Sequence, residues 1–272
     1  IVSKRLKKFL RSYPPKEHWH VSRNGEIADL FQCVTDVIET SQLDLFFFFT
    51  EINRTFHEEG KPYHKLWDHY SRAIPEPHVP FSDLYAIGQL IHSLPKKSAL
   101  HLGNSSSVRY AQLFQIDKSV KVYCNRGTSG IDGSLSTAVG YAAASEDLTF
   151  LIIGDLSFFY DMNGLWNHQL NPRLRILLNN NGGGEIFHAL PGLNKAETLD
   201  RYIAATHQTS ARPWAEAVGF LYLSASNEEE LESYLPIFVS SKSDHPIIIE
   251  VNSSMDINTE ILKDYYHALK RI

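Results

Sequence analysis

The chain is poor in sulfur, with two cysteines and two methionines among 272 residues. So few thiols exclude a disulfide-stapled scaffold and suit a reducing compartment, so a cytoplasmic location is expected. An excess of positive charge is also missing. Twenty-six Lys and Arg against 31 Asp and Glu give a formal charge of −5, which offers nucleic acid no electrostatic footprint. Long apolar runs are absent too. The greasiest stretch, Leu43 to Thr50, is short and contains Asp44, so no membrane span is expected. No GxGxxG follows an early strand, which disfavours a nicotinamide-binding fold. The histidines do not cluster, and neither His168 nor His188 is assigned a catalytic role.

What is present is alternation. From Ser82 onward, short apolar runs that end in Gly, Asn or Asp take turns with helix-period segments. Ser82 can cap a helix with a stripe of Leu84, Ile87, Ile91 and Leu94. Ala99 to Leu102, Val120 to Cys124, Leu148 to Ile153, Leu174 to Leu178, Phe220 to Leu223 and Ile247 to Val251 read as strands. Helices are expected at Val108 to Phe114, Ser134 to Ala144, Leu199 to Ala205, Pro213 to Val218, Glu228 to Phe238 and Thr259 to Leu269. Met162, Leu165, Trp166 and Gln169 recur at helical spacing, which predicts a helix there. This order predicts an α/β fold, a mostly parallel sheet covered by helices on both faces. Before it, Ser3 to Leu10 reads as a basic amphipathic helix and His18 to Ser22 as an edge strand. Phe31 to Ile38 is a strand or short helix, and Phe46 to Phe49 has no useful periodicity. AIPEPHVP, residues 73–80, has three prolines and reads as a linker. Three segments are therefore expected: 1–72, a linker at 73–81, and 82–272.

Two of these runs carry chemistry. One ends in Gly154-Asp155, the next in Asn179-Asn180-Asn181 followed by three glycines, with 23 residues between Asp155 and Asn179. Neighbouring parallel strands bring such ends to one edge, where open α/β sheets bind ligands. Carboxylate, amide and backbone oxygens are hard ligands that suit Mg2+ or Ca2+ rather than zinc, and glycines let backbone approach phosphate. A helix cap at Asp155 and a plain loop at the Asn-Gly run remain the competing account.

GDLS followed by NNNGGG resembles the metal and diphosphate motif of thiamine diphosphate enzymes, GDG followed at an interval by NN. NRGTSGIDGSLSTAVGYAAA and IFHALP resemble most closely the synthases of the menaquinone branch of that family. The resemblance implies thiamine diphosphate and Mg2+ (or Mn2+) as cofactors, decarboxylation of 2-oxoglutarate, and 1,4-addition of the succinyl unit to isochorismate. It implies Asp155, Asn180 and the Gly182 carbonyl as metal ligands. Ser157 is implied at the diphosphate and Ile131 as the prop for the bent cofactor. Ser105, Arg109 and Arg126 are implied at the substrate, together with Lys4 and Arg5, while Ile186 and Phe187 are candidates for its apolar wall. Rigid guanidinium forks suit a substrate with more than one carboxylate.

The family pattern also implies that residues 1–72 close a central domain and that an N-terminal domain precedes it. The glutamate that activates the cofactor belongs to that domain, so no acid here is given the role. A homodimer or homotetramer is expected, acting on small anionic substrates. Another 2-oxo acid decarboxylase or synthase of the family is the nearest alternative, and a non-catalytic assembly fragment is the other. Two departures stand out. The Asp155-to-Asn interval is slightly short, and the segment before Ile186-Phe187 is longer by one residue, at Glu185.

Overall fold

A computed structural model describes residues 4–53, 61–188, 192 and 197–270. The chain divides into two compact units, Ile1–Ala73 and Ile74–Ile272. In the first, helix α1 (Lys4–Ser12) precedes two short strands, β1 (Trp19–Ser22) and β2 (Asp36–Glu39), which pair in parallel. Helices α2 (Gln42–Asn53) and α3 (Lys61–Ala73) follow. The phenylalanine run that lacked periodicity is thus helical. Its side chains are not core, since Phe46 and Phe47 are 65% and 67% exposed.

The second unit opens with α4 (Asp83–Ser93), whose N-cap Ser82 accepts the Tyr85 N–H. There follow β3 (Ala99–Leu102), α5 (Ser106–Ala111), β4 (Lys121–Cys124), α6 (Ser134–Ala144), β5 (Thr149–Gly154) and α7 (Asp155–Asp161). After these come β6 (Leu174–Asn180), α8 (Arg212–Ala217), β7 (Leu221–Ala225), α9 (Glu228–Phe238), β8 (Ile247–Asn252) and α10 (Met255–Leu269). The six strands form one sheet in the order β4-β3-β5-β6-β8-β7, and every pairing is parallel. The expected α/β class is the fold observed.

The central strands are apolar on both faces because both are covered. Phe150, Ile152, Leu177, Ile247 and Ile249 pack with residues of α4, α5, α9 and α10. Leu151, Ile153, Ile176, Leu178 and Ile248 pack with residues of α6, α7 and α8. One expectation is corrected. The helix after β5 begins at Asp155 and ends at Asp161, and Met162–Leu165 is only a 3-10 turn. Asp161 is used as an anchor, accepting the N–H and hydroxyl of Ser136 on α6. Beyond it Trp166 is exposed rather than core.

Candidate functional site

Along the sheet, β3 connects outward to β4 while the next strand, β5, lies on its other side. The order in which the chain adds strands therefore reverses between β3 and β5, and the loops leaving their carboxyl ends turn to opposite faces and leave a crevice. A cavity of about 340 Å³ lies there, lined from the ends of three strands, one loop and the start of α4. Asn104 to Ser107 follow β3, Gly154 ends β5 with Asp155 to Ser157 after it, and Asn179 lies near the end of β6 with Asn181 and Gly183 to Phe187 beyond it. Ser129 to Ile131 come from the loop after β4, and Asp83 opens α4. Of the sequence candidates, Ser105, Ile131, Asp155, Ser157, Ile186 and Phe187 are gathered in this lining.

Asp155 is buried at the first turn of α7. One carboxylate oxygen accepts the N–H of Leu156 at 2.6 Å, the other those of Gly182 and Gly183 at 2.8 and 2.9 Å. The glycine turn allows this because Gly182 and Gly183 have φ of +87° and +148°. A Cβ on Gly183 would stand 2.7 Å from the Ala204 carbonyl, so only glycine fits. His207 adds its Nε2 at 3.3 Å from Asp155. Burial raises the Asp155 pKa, against the opposing pull of these donors.

The register of β6 sorts the three asparagines between the two faces of the sheet. Successive side chains on a strand point to opposite faces. Asn180 falls on the face of Ile176 and Leu178, where its amide nitrogen donates to the Thr209 carbonyl and to Glu250 at 2.8 and 2.6 Å. The Gly182 carbonyl likewise accepts the His207 N–H at 3.0 Å. Neither residue lines the cavity; Asn181 and Gly183 do. Asn181 donates its amide nitrogen to Asp83 at 2.8 Å and to Glu185 at 2.9 Å, and its Oδ1 is buried without a partner. An orphaned buried amide oxygen beside a buried carboxylate is a donor set that suits a hard cation. Among the described residues no group of three or more His, Cys, Asp or Glu could hold a metal. A site of one carboxylate, one amide and backbone oxygen is consistent with that.

Behind Asn181 lies a polar layer that sequence reasoning missed. Glu185, 4% exposed, accepts the hydroxyl of Tyr110 and the Asn258 amide at 3.2 Å. Asp83 accepts the Ser253 hydroxyl at 2.6 Å, and its own N–H reaches Asn258 at 3.1 Å. Burial, aided by the neighbouring acids, pushes Asp83 up to about 6 and Glu185 up to about 8. Their one signal in the sequence was a glutamate set between three glycines and Ile186-Phe187.

Ser157 also lines the cavity. Its hydroxyl donates to the Ile131 carbonyl, fixing the loop that carries Ile131. Ser105 has φ +70° and ψ −127°, a strained setting for a residue with a side chain and of the kind held at functional positions.

Arg109 on α5 and Arg126 after β4 lie outside this lining. Arg126 faces an adjoining apolar groove of about 470 Å³ with Val108, Tyr123 and Cys124. The pair is nonetheless coupled: partial burial lowers the Arg109 pKa, and the positive charge of Arg126 lowers it further. Among the described residues no carboxylate forms an ion pair with either. Two unneutralised guanidiniums in one region suit an anionic ligand. Arg5 is exposed on α1 in the first unit. Lys4 opens the same helix with its side chain outside the described part, as are residues 189–191 of the IFHALP segment.

A parallel sheet with this crevice, an acid after β5 and an Asn-Gly turn after β6 belongs to a known class. Residues 103–251 match the C-terminal TPP-binding domain of thiamine pyrophosphate enzymes, and the chain belongs to that family. Within it, the chain is 54% identical over 272 residues to a 2-succinyl-5-enolpyruvyl-6-hydroxy-3-cyclohexene-1-carboxylate synthase of Bacteroides thetaiotaomicron. It is 53% identical to the synthase of that name from Bacteroides fragilis and 34% identical to that from Porphyromonas gingivalis. The alignments cover 98–100% of this chain but 48% of each relative, so the chain spans about half the length of those proteins. Among the described residues no helix is long and apolar enough to cross a membrane.

Proposed function

We propose that the cavity at the β3–β5 crevice holds thiamine diphosphate through Mg2+, with Mn2+ as an alternative. Asp155 and the Oδ1 of Asn181 are the side-chain ligands in this reading, and the backbone of Gly183 closes the set. The observation that carries it is a pair of buried amide oxygens, those of Asn179 and Asn181, without partners among the described residues, in the cavity that Asp155 lines, beside a turn that only glycines can make. Bound there, the cofactor supplies an electron sink for decarboxylation of a 2-oxo acid. The chain's own residues bind and orient. Asp83 and Glu185 hold the Asn181 amide so that its oxygen points away from them. Ile131 supports the cofactor, with its loop pinned by Ser157. Ile186 and Phe187 form an apolar wall that excludes water from the reacting end.

The substrates proposed are 2-oxoglutarate and isochorismate, both carboxylates, in the synthase reaction of menaquinone biosynthesis. The reading is supported by identity to proteins named for the succinyl product and by two arginines that form no ion pair with an acid among the described residues. Arg109 and Arg126 then bind substrate carboxylates with Ser105. Lys4 and Arg5 are assigned to the same substrates by resemblance, and the assembled protein is a homo-oligomer. The three-segment division at 73–81 and the origin of the activating acid outside this chain belong to the same proposal.

Calorimetric titration of thiamine diphosphate with and without Mg2+ tests the cavity. Asp155→Ala and Asn181→Ala abolish the Mg2+-dependent part of the affinity, whereas Asn180→Ala retains it. Unchanged binding in both of the first two variants overturns the assignment. Release of CO2 from 2-oxoglutarate, with and without isochorismate, tests the reaction. Arg109→Ala or Arg126→Ala lowers kcat/KM by the equivalent of about 2–5 kcal/mol, the cost of losing a desolvated charge pair.

A further inference from the structure

Asn104 is 3% exposed two residues beyond β3, and every polar atom of its side chain is in use. The amide nitrogen donates to the Asn125 carbonyl at 2.6 Å and to the Gly130 carbonyl. Those two acceptors stand at either end of the turn 125–130. The oxygen accepts Nη1 of Arg126 at 2.9 Å and, more distantly, the Cys124 thiol at 3.9 Å. One side chain therefore draws the turn closed with its nitrogen and grips the guanidinium inside that turn with its oxygen. It also lines the cavity that Arg126 itself does not line.

The grip is directional. Arginine has long, flexible χ torsions, and ordering them at the moment of binding weakens a contact. A fixed acceptor on one nitrogen removes much of that cost beforehand and leaves the other donors of the fork for a carboxylate. The acceptor is a neutral amide. A carboxylate here would pair with the guanidinium and compete with any anionic ligand, whereas an amide oxygen orients the cation without neutralising it.

We infer that Asn104 is a positioning residue for substrate recognition, which closes the 125–130 turn and aims Arg126 at the substrate carboxylate while leaving its charge available. The inference rests on the reading of Arg126 as a substrate-binding group.

The experiment is a double-mutant cycle in the holoenzyme at saturating thiamine diphosphate and Mg2+, with KM and kcat measured for 2-oxoglutarate and isochorismate. Arg126→Ala is made first, and it raises KM for one of them. Asn104→Ala then raises KM for that same substrate about tenfold and changes kcat much less, as loss of a preorganised charged contact does. In the Arg126→Ala background, adding Asn104→Ala changes KM no further. A residue that served only to hold the loop would scale the kinetics by the same factor in both backgrounds, and that outcome overturns the inference. So does an unchanged KM in Asn104→Ala alongside a raised KM in Arg126→Ala. An unchanged KM for both substrates in Arg126→Ala removes the reading of Arg126 itself, and the inference with it. Asn104→Ser is carried through the same cycle, so that misfolding of the alanine variant leaves the comparison intact.

Discussion

His101 makes the stability of the sheet unit sensitive to acid. It sits on β3 at 4% exposure, stacked on Tyr123 with ring centroids 5.0 Å apart and edge-on to Tyr141 at 4.9 Å. Its Nε2 is buried without a hydrogen-bond partner. Burial alone lowers its pKa, to about 4. The folded protein therefore refuses a proton that the unfolded chain accepts. The stability tied to neutral His101 is complete above the unfolded pKa near 6.5 and is lost as pH falls toward 4. At about 1.4 kcal/mol per pH unit within that window, roughly 2 kcal/mol is lost between pH 8 and pH 5. Buried acids such as Glu185 tilt the absolute curve the other way, so the test is a difference. His101→Phe keeps an aromatic ring between the tyrosines and removes the titration. Its stability at pH 8 is expected within about 1.5 kcal/mol of the parent, as for other volume-conserving swaps. By pH 5 the variant gains about 2 kcal/mol on the parent, read by urea denaturation followed by circular dichroism. Equal losses in both proteins between pH 8 and pH 5 would refute the reasoning.

Three further outcomes follow from the same geometry. Glu185 has the opposite sign: its raised pKa withdraws stability as pH climbs from 4.5 to about 8. Glu185→Gln, which keeps an acceptor for Tyr110, gains on the parent by about 1 kcal/mol per pH unit between pH 5 and 7, measured without added Mg2+. Arg175 is fully buried and donates to the carbonyls of Pro172, Leu174, Phe238 and Ser240 with no carboxylate among them. Arg175→Met strands those acceptors and costs about 2–4 kcal/mol in urea denaturation; a neutral result shows that water replaces the guanidinium. Gly183→Ala forces a Cβ against the Ala204 carbonyl and costs about 1–3 kcal/mol with loss of Mg2+-dependent cofactor binding. Gly140→Ala, where a Cβ meets nothing within 4 Å, is the control that retains both.

The sequence alone determined the class of fold and the edge at which the site lies. Apolar runs of strand length alternated with helix-period segments, and all of them but Phe220 to Leu223 ended in Gly, Asn or Asp. Those local signals survive without knowledge of packing, because a strand buried on both faces must be apolar throughout. The same property hid the phase of β6. With Leu174, Ile176, Leu177 and Leu178 all buried, nothing in the run said which face each position takes, and three consecutive asparagines offered three equivalent answers. Tertiary structure turned Asn179 and Asn181 into the cavity, on the side where Asp83 of α4 takes the Asn181 amide. Asp83 lies 98 residues from Asn181 in the chain. Asn104 meets Arg126 from 22 residues away, across two adjacent strand ends. Spacing along the chain encodes neither contact. Each exists because parallel pairing brings the ends of different strands to a common edge, and only the order and register of the sheet decide which side chains meet there.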